Sequence, residues 1–141
     1  MNEAILALDV GTVRIGVAVC EEARLPALPL TTIVHTNRAQ DVERIVELAR
    51  QREARTIVVG YPLRMDGSEG PAAQGMDRFI AALRAKFDGD VIPVDERLTT
   101  AAADKRLLGS GLAGRKRRQV VDRFAAVEIL ESYRATLLSE S

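Results

Sequence analysis

Residues 4–20 read AILALDVGTVRIGVAVC, and the architecture follows from this stretch. Ala4 to Leu8 are five consecutive apolar residues without polar alternation, the pattern of a strand buried on both faces. The run ends on Asp9, and Gly11 and Thr12 follow as a turn signal. Arg14 to Cys20 resume as a second strand rich in Val and Ile. A buried strand that delivers one carboxylate to its C-terminal tip, beside a tight turn, is where open sheets keep their chemistry. Taken alone, Asp9 reads equally well as a turn residue.

The chain has 141 residues, enough for one domain with a sizeable core, and a single domain over 1–141 is expected. A hydrophobic fraction of 47% with 28% charged residues describes a globular protein, and the alternation of strand-like and helical segments assigns it to the α/β class. Twenty Lys+Arg balance twenty Asp+Glu, so any contact with nucleic acid must come from a local patch. Cys20 is the one cysteine, which excludes an internal disulfide. No apolar run approaches membrane length and Met1 to Leu8 lack a basic start, so a cytoplasmic protein without membrane association is expected.

Downstream, Leu25 to Val34 form a third strand whose prolines, Pro26 and Pro29, place it at a sheet edge. The short spacing predicts an antiparallel meander of three strands. His35 falls in a polar loop and receives no role. Val42, Ile45, Val46 and Ala49 recur at helical spacing within Gln40–Arg52, and Thr56–Gly60 follows as a β-branched strand, implying a parallel crossover. The loop GYPLRMDGSEGP leads into a helix marked by Met76, Phe79, Ile80, Leu83 and Phe87. Asp90–Asp95 is a strand for the opposite edge, because it contains Pro93. Thr99 or Thr100 caps a helix to about Leu108, a Gly-rich loop follows, and a last helix spans about Lys116–Leu138.

That last helix carries an anomaly. At 3.6 residues per turn Asp122 shares a face with Ala125, Ala126, Ile129 and Tyr133, the face expected to meet the core. An ionised carboxylate there costs several kcal/mol unless it is paired, by Arg14 or Arg97 for example, or bound to a cation. Asp9 and Glu96 each follow a strand of the expected sheet. If those strands are parallel, the three carboxylates converge on one rim. Clustered carboxylates repel and require a cation, and oxygen-only ligands select Mg²⁺ or Mn²⁺. Such a site suits phosphodiester hydrolysis.

Four segments, LALDVGTVRIGVAV, VVGYPLRMDGSEGP, PVDERLTT and VVDRFAAVEIL, resemble in order and spacing the YqgF family of the RNase H-like superfamily, relatives of the RuvC Holliday-junction resolvases. The resemblance runs nearly end to end. It implies an RNase H-like, five-stranded mixed sheet, with three antiparallel strands and two further parallel ones, flanked by helices. By position it transfers metal-ligand and catalytic roles to Asp9, Glu96 and Asp122. It also implies processing of the 5′ end of precursor 16S ribosomal RNA, with resolution of branched DNA as the alternative and a monomer or homodimer as the assembly. This chain departs from the pattern at Val13, where relatives often carry lysine, and at Arg64, where they often carry asparagine. Ala125 stands where RuvC-type resolvases have a second aspartate, three residues after the helical one.

Arg115, Lys116, Arg117 and Arg118 place four cations at a helix start, where they oppose the helix dipole, and this favours contact with a nucleic-acid backbone. Arg14, Arg64 and Arg97, each near an element expected to reach the acidic rim, complete the candidate nucleic-acid contacts. Two other classes are weighed. Asp-Val-Gly-Thr after a strand also resembles the phosphate loop of the actin and sugar-kinase fold, but 141 residues supply only one of its two lobes. A non-catalytic RNA-binding factor would have no need of all three acids.

Overall fold

Strands β1 (Ala4–Val10) and β2 (Arg14–Cys20) form an antiparallel hairpin with Leu8 opposite Val17 and Asp9 opposite Gly16. The computed structural model describes residues 3–62, 67, 70–95 and 115–140, with side chains in the last segment from 124 to 139. Strand β3 (Leu28–Val34) adds antiparallel to β2, which completes the meander expected from the short spacing. Strand β4 (Ala54–Tyr61) lies parallel to the other side of β1, and β5 (Asp90–Asp95) lies parallel to β4. The order β3-β2-β1-β4-β5 makes β1 the middle strand and puts Pro29 and Pro93 on the two edges, where a missing N–H costs no ladder bond.

Boundaries differ from the sequence reading in instructive ways. Strand β1 runs through Asp9 to Val10, so the acid is a residue of the strand and not of the turn. Strand β3 starts at Leu28, not Leu25, because the Ala27 N–H is taken by a side chain, Glu131 Oε1 at 2.7 Å. Helix α1 (Arg38–Gln51) begins two residues before Gln40, since Asn37 caps it and accepts from Gln40 N–H at 2.9 Å. Helix α2 (Pro71–Lys86) opens with proline in its first turn and stops before Phe87, whose side chain still packs on the core. Helix α3 spans Arg115–Glu140. The helix expected after Thr99 and the Gly-rich loop lie outside the described residues.

The sheet is covered on both faces by layers of different character. On the first face Leu6, Leu8, Ile15, Val17, Ile57 and Val59 pack against Val42, Ile45 and Ala49 of α1 and Met76, Phe79, Ile80 and Leu83 of α2. Full burial of each of the larger side chains contributes about 1.5–3 kcal/mol. On the second face Ile5, Ala7, Ala18, Cys20 and Val58 meet Ala126, Ile129 and Leu130 of α3. Burial pushes the Cys20 thiol pKa up, consistent with an inert core residue. Among the described residues no helix is long and apolar enough to cross a membrane.

The C-terminal half of α3 is fastened by polar groups. Arg134, buried, donates from Nε to the Ala23 carbonyl at 2.9 Å and pairs with Glu131, whose other carboxylate oxygen takes the Ala27 N–H. This clamp joins α3 to the β2–β3 connection.

Candidate active site

Side chains alternate along a strand, and the two core layers show which way each residue of β1 points. Ala4, Leu6 and Leu8 belong to the α1/α2 layer, whereas Ile5 and Ala7 belong to the α3 layer. Asp9 continues the second set. It is only 2% exposed and lies one residue before the C-terminal end of the central strand. Helix α3 packs across β1, β2 and β3 on this same face.

The rim around Asp9 is built by three parallel strands. Because β4 is parallel to β1 and β5 to β4, all three end at the same edge, at Val10, Tyr61 and Asp95. The condition on which convergence depends, parallel strands, is therefore met. Asp95 is the residue immediately before Glu96, which lies outside the described residues. Position 122 falls within α3, four residues before Ala126 and seven before Ile129, but its side chain is outside those described. Among the described residues no three His, Cys, Asp or Glu come together as a metal cluster.

The turn after β1 holds the acid's surroundings. The Gly11 N–H donates to the Arg14 carbonyl at 2.8 Å, and a Cβ on Gly11 would stand 2.9 Å from that oxygen, so glycine is required by close approach. Arg14 shares the face of Gly16, Ala18 and Cys20, which is the face of Asp9, and is partly exposed at the start of β2. Of the other candidate cations, Arg64 and Arg97 are outside the described residues. Arg115, Lys116, Arg117 and Arg118 form the first turn of α3, with side chains not described.

Two groupings escaped the sequence reading. His35 is not merely a loop residue: its Nδ1 bonds Asp41 Oδ2, and Asp41 is buried in the first turns of α1. Thr36 supplies its N–H and Oγ1 to Asp41 Oδ1 at 3.1 and 3.2 Å. Tyr61, at the end of β4, donates to Asp77 Oδ1 of α2 at 2.6 Å while its ring packs against the core. The bond to Asp77 and the packed ring give Tyr61 a structural place between β4 and α2. The signal for the first pair was present, a His six residues before an Asp across a helix start, but nothing in the spacing shows that the strand end and helix turn face each other.

Comparison with known proteins agrees with this geometry. Residues 3–135 match the family described as RuvX: Holliday junction resolvase. A protein of Syntrophus aciditrophicus, provisionally named pre-16S rRNA nuclease, is 48% identical over 129 residues, covering 92% of this chain and 86% of its own. One from Halalkalibacterium halodurans with the same name is 41% identical over 130 residues, covering 91% and 93%. Among solved structures, Thermus thermophilus RuvC in complex with a Holliday junction substrate aligns with a TM-score of 0.59 at 15% identity, covering 96% of each chain. The fowlpox virus Holliday junction resolvase aligns with a TM-score of 0.54 at 14% identity, covering 94% and 99%. At those identities the two structures establish the RNase H-like fold and nothing finer.

Proposed function

The chain belongs to the RuvX family, and we propose that it is a metal-dependent nuclease that hydrolyses phosphodiester bonds during 5′-end maturation of precursor 16S rRNA. The observation that carries this reading is Asp9: a carboxylate only 2% exposed, on the middle strand, at the rim where three parallel strands end. Relatives named for pre-16S rRNA over nearly the whole chain supply the substrate.

Asp9, Glu96 and Asp122 are the metal ligands in this proposal. Carboxylate oxygens are hard donors suited to Mg²⁺ or Mn²⁺, and a bound cation would offset the cost of burying the Asp9 charge. When bound, the cation supplies a water nucleophile at neutral pH and positive charge for the departing oxygen. The chain's own residues do the rest. Gly11 keeps the turn beside Asp9 tight, and Arg14 on the same face orients the substrate phosphate. The basic run 115–118, with Arg64 and Arg97, draws the nucleic-acid backbone onto the rim.

Resolution of branched DNA is the second reading, favoured by the description of the matching family. Against it stands Ala125, 2% exposed within α3, where resolvases of the RuvC type carry a further acid. One assay separates the two: purified protein on labelled precursor rRNA and on a four-way DNA junction, with Mg²⁺, Mn²⁺ or chelator. The proposal expects cleavage of the RNA that chelator abolishes. Cleavage confined to the junction would transfer the assignment to resolution, and undiminished RNA cleavage in chelator would remove the metal.

A further inference from the structure

We propose that the outer edge of β3 is a self-association surface, where a second copy of this chain adds antiparallel and extends the sheet across a two-fold axis. The inference is independent of the nuclease reading.

The two edges of the sheet are unlike. Strand β5, at one edge, reads DVIPVD, with an aspartate at each end and Pro93 between them, features that keep an edge strand from pairing. Strand β3, at the other edge, reads LPLTTIV, and no charged residue occurs from Leu25 to Val34. Its one obstacle, Pro29, falls near the start, where the register with β2 also shifts. Leu30 to Val34 contain no proline and no charge. Exposed apolar side chains gather at the same place. Leu28 and Val34, on the strand, are 57% and 58% exposed, and Leu25, three residues before it, is 45% exposed. Val13, 58% exposed, is joined to this edge through its carbonyl, which accepts the His35 N–H at 2.9 Å. Only Phe124 and Leu138 complete the set of exposed large apolar residues among those described. Such a concentration marks a contact surface.

The backbone of this edge is turned to receive a strand. Because the His35 N–H points inward to β2, Val34, the residue before it, points its own N–H and carbonyl outward. Arg44 Nη1 of α1 reaches that carbonyl at 3.4 Å, a long contact that an incoming N–H can replace. Beside the edge, β3 and α1 leave a cleft of about 670 Å³, with Thr31 and Ile33 on one side and Val46 and Leu48 on the other.

Self-complementarity identifies the occupant. A two-fold interface sets residue i against j and j against i, so the surface must match its own copy. Antiparallel pairing of Leu30–Val34 with itself puts Thr32 opposite Thr32 and each Val34 opposite a Leu30, with no like charges opposed along the strands. An axis normal to the sheet keeps the two α1 helices on one face and brings the two clefts side by side. The margins of the cleft carry both signs, Glu43 and Glu47 with Arg44, Arg50 and Lys86, so neither copy presents a field of one sign to the other. Antiparallel addition also reverses the strands. The rims at which the two β1 strands end then lie at opposite ends of the joint sheet, and the two sites do not face one substrate.

The test is the mass of the full chain in solution, by light scattering and sedimentation from low micromolar to submillimolar concentration. The parent is expected at twice the chain mass at the upper end. Leu28→Lys with Val34→Lys, which sets charges on and beside the paired segment, is expected to weaken association about tenfold or more. Leu138→Lys, exposed on α3, is expected to leave it unchanged. If the lysine pair fails to fold by circular dichroism, Leu28→Ser with Val34→Ser must weaken association in the same direction. Thr32→Cys locates the axis. Directly opposed, hydrogen-bonded residues of an antiparallel pair have Cα atoms about 5.5 Å apart, within reach of a disulfide, so mild oxidation is expected to link this variant into dimers. The parent, whose one cysteine is buried, is expected to stay unlinked. A parent that is monomeric throughout overturns the proposal, as does a dimer that the edge variants leave intact or that Thr32→Cys fails to link. A monomeric parent that binds an extended Val-Thr peptide would assign the edge to a foreign strand and overturn it as well. RNA cleavage is read in none of these measurements, so the nuclease reading stands or falls separately.

Discussion

The two faces of the sheet are built from different residues for different purposes. The face under α1 and α2 is packed with Leu6, Leu8, Ile15, Ile45, Ile57 and Leu83, all 0% exposed. The face under α3 uses Ala7, Ala18, Ala23, Ala27 and Ala126, with fewer large side chains. Small residues let a helix approach a sheet closely, and close approach is what carrying a functional group from helix to strand end requires. The same face holds Asp9 and is pinned by the Arg134–Glu131 clamp in place of a thick apolar layer. Large apolar side chains are thus concentrated on one side of β1 and the proposed catalytic acid lies on the other, one residue apart along a single strand.

The sharpest test of that division is Asp9→Asn. Amide for carboxylate keeps shape and removes the charge that the proposed cation site requires. Cleavage should fall by more than about 100-fold, the loss seen even for outer partners of a metal ligand, while thermal stability in chelator stays at or above that of the parent. Full activity in this variant would sink the site. Next in size is a pair of neighbouring changes on β1. Leu6→Ala should cost about 3 kcal/mol by leaving a cavity under α1 and α2, with activity per folded molecule retained. Ala7→Leu should cost about 1–3 kcal/mol by wedging α3 away from the sheet, and here activity should fall out of proportion to stability. Denaturant melts beside cleavage rates decide it: equal activity losses in both variants would break the comparison.

The smallest effect concerns Asp122→Asn, read by thermal melts with and without Mn²⁺. If Asp9, Glu96 and Asp122 cluster as proposed, removing one of the three carboxylates relieves repulsion, and the variant should be as stable as the parent, or more so, in chelator. The parent should gain about 2.7 kcal/mol when Mn²⁺ reaches a hundred times its dissociation constant, and the variant much less. An Asp122 paired to arginine predicts the opposite, a loss of stability in chelator with cleavage retained.

Much of this division is legible in the amino-acid sequence. The unbroken apolar run of β1, the strand-rich residues 14–20 and the prolines of β3 and β5 each have a local cause, so strand existence and edge placement followed directly. The true start of β3 was not legible, because the Ala27 N–H is claimed by Glu131, 104 residues away. Nothing in the sequence singles out Asp41; only the meeting of strand end with helix turn makes it a buried partner of His35 and Thr36. For the site, residue type and strand ends pointed to Asp9 and its rim. The positions of Glu96 and of the Asp122 side chain are not among the described residues.

The middle place of β1 has a consequence for how the protein comes into being. The middle strand precedes the other four strands of the sheet in the chain, and its second neighbour, β4, is not complete until residue 61. The hairpin with β2 and the addition of β3 close over short loops, so the meander can assemble at once. At ribosomal rates of about 5–20 residues per second, the other edge of β1 then waits about 1–5 s for β4. During that interval Ile5, Leu6, Ala7 and Leu8 present an unpaired apolar border with open backbone donors and acceptors. The nascent meander is therefore the stage at which chains emerging side by side are most prone to pair with one another, and where a chaperone would find its target.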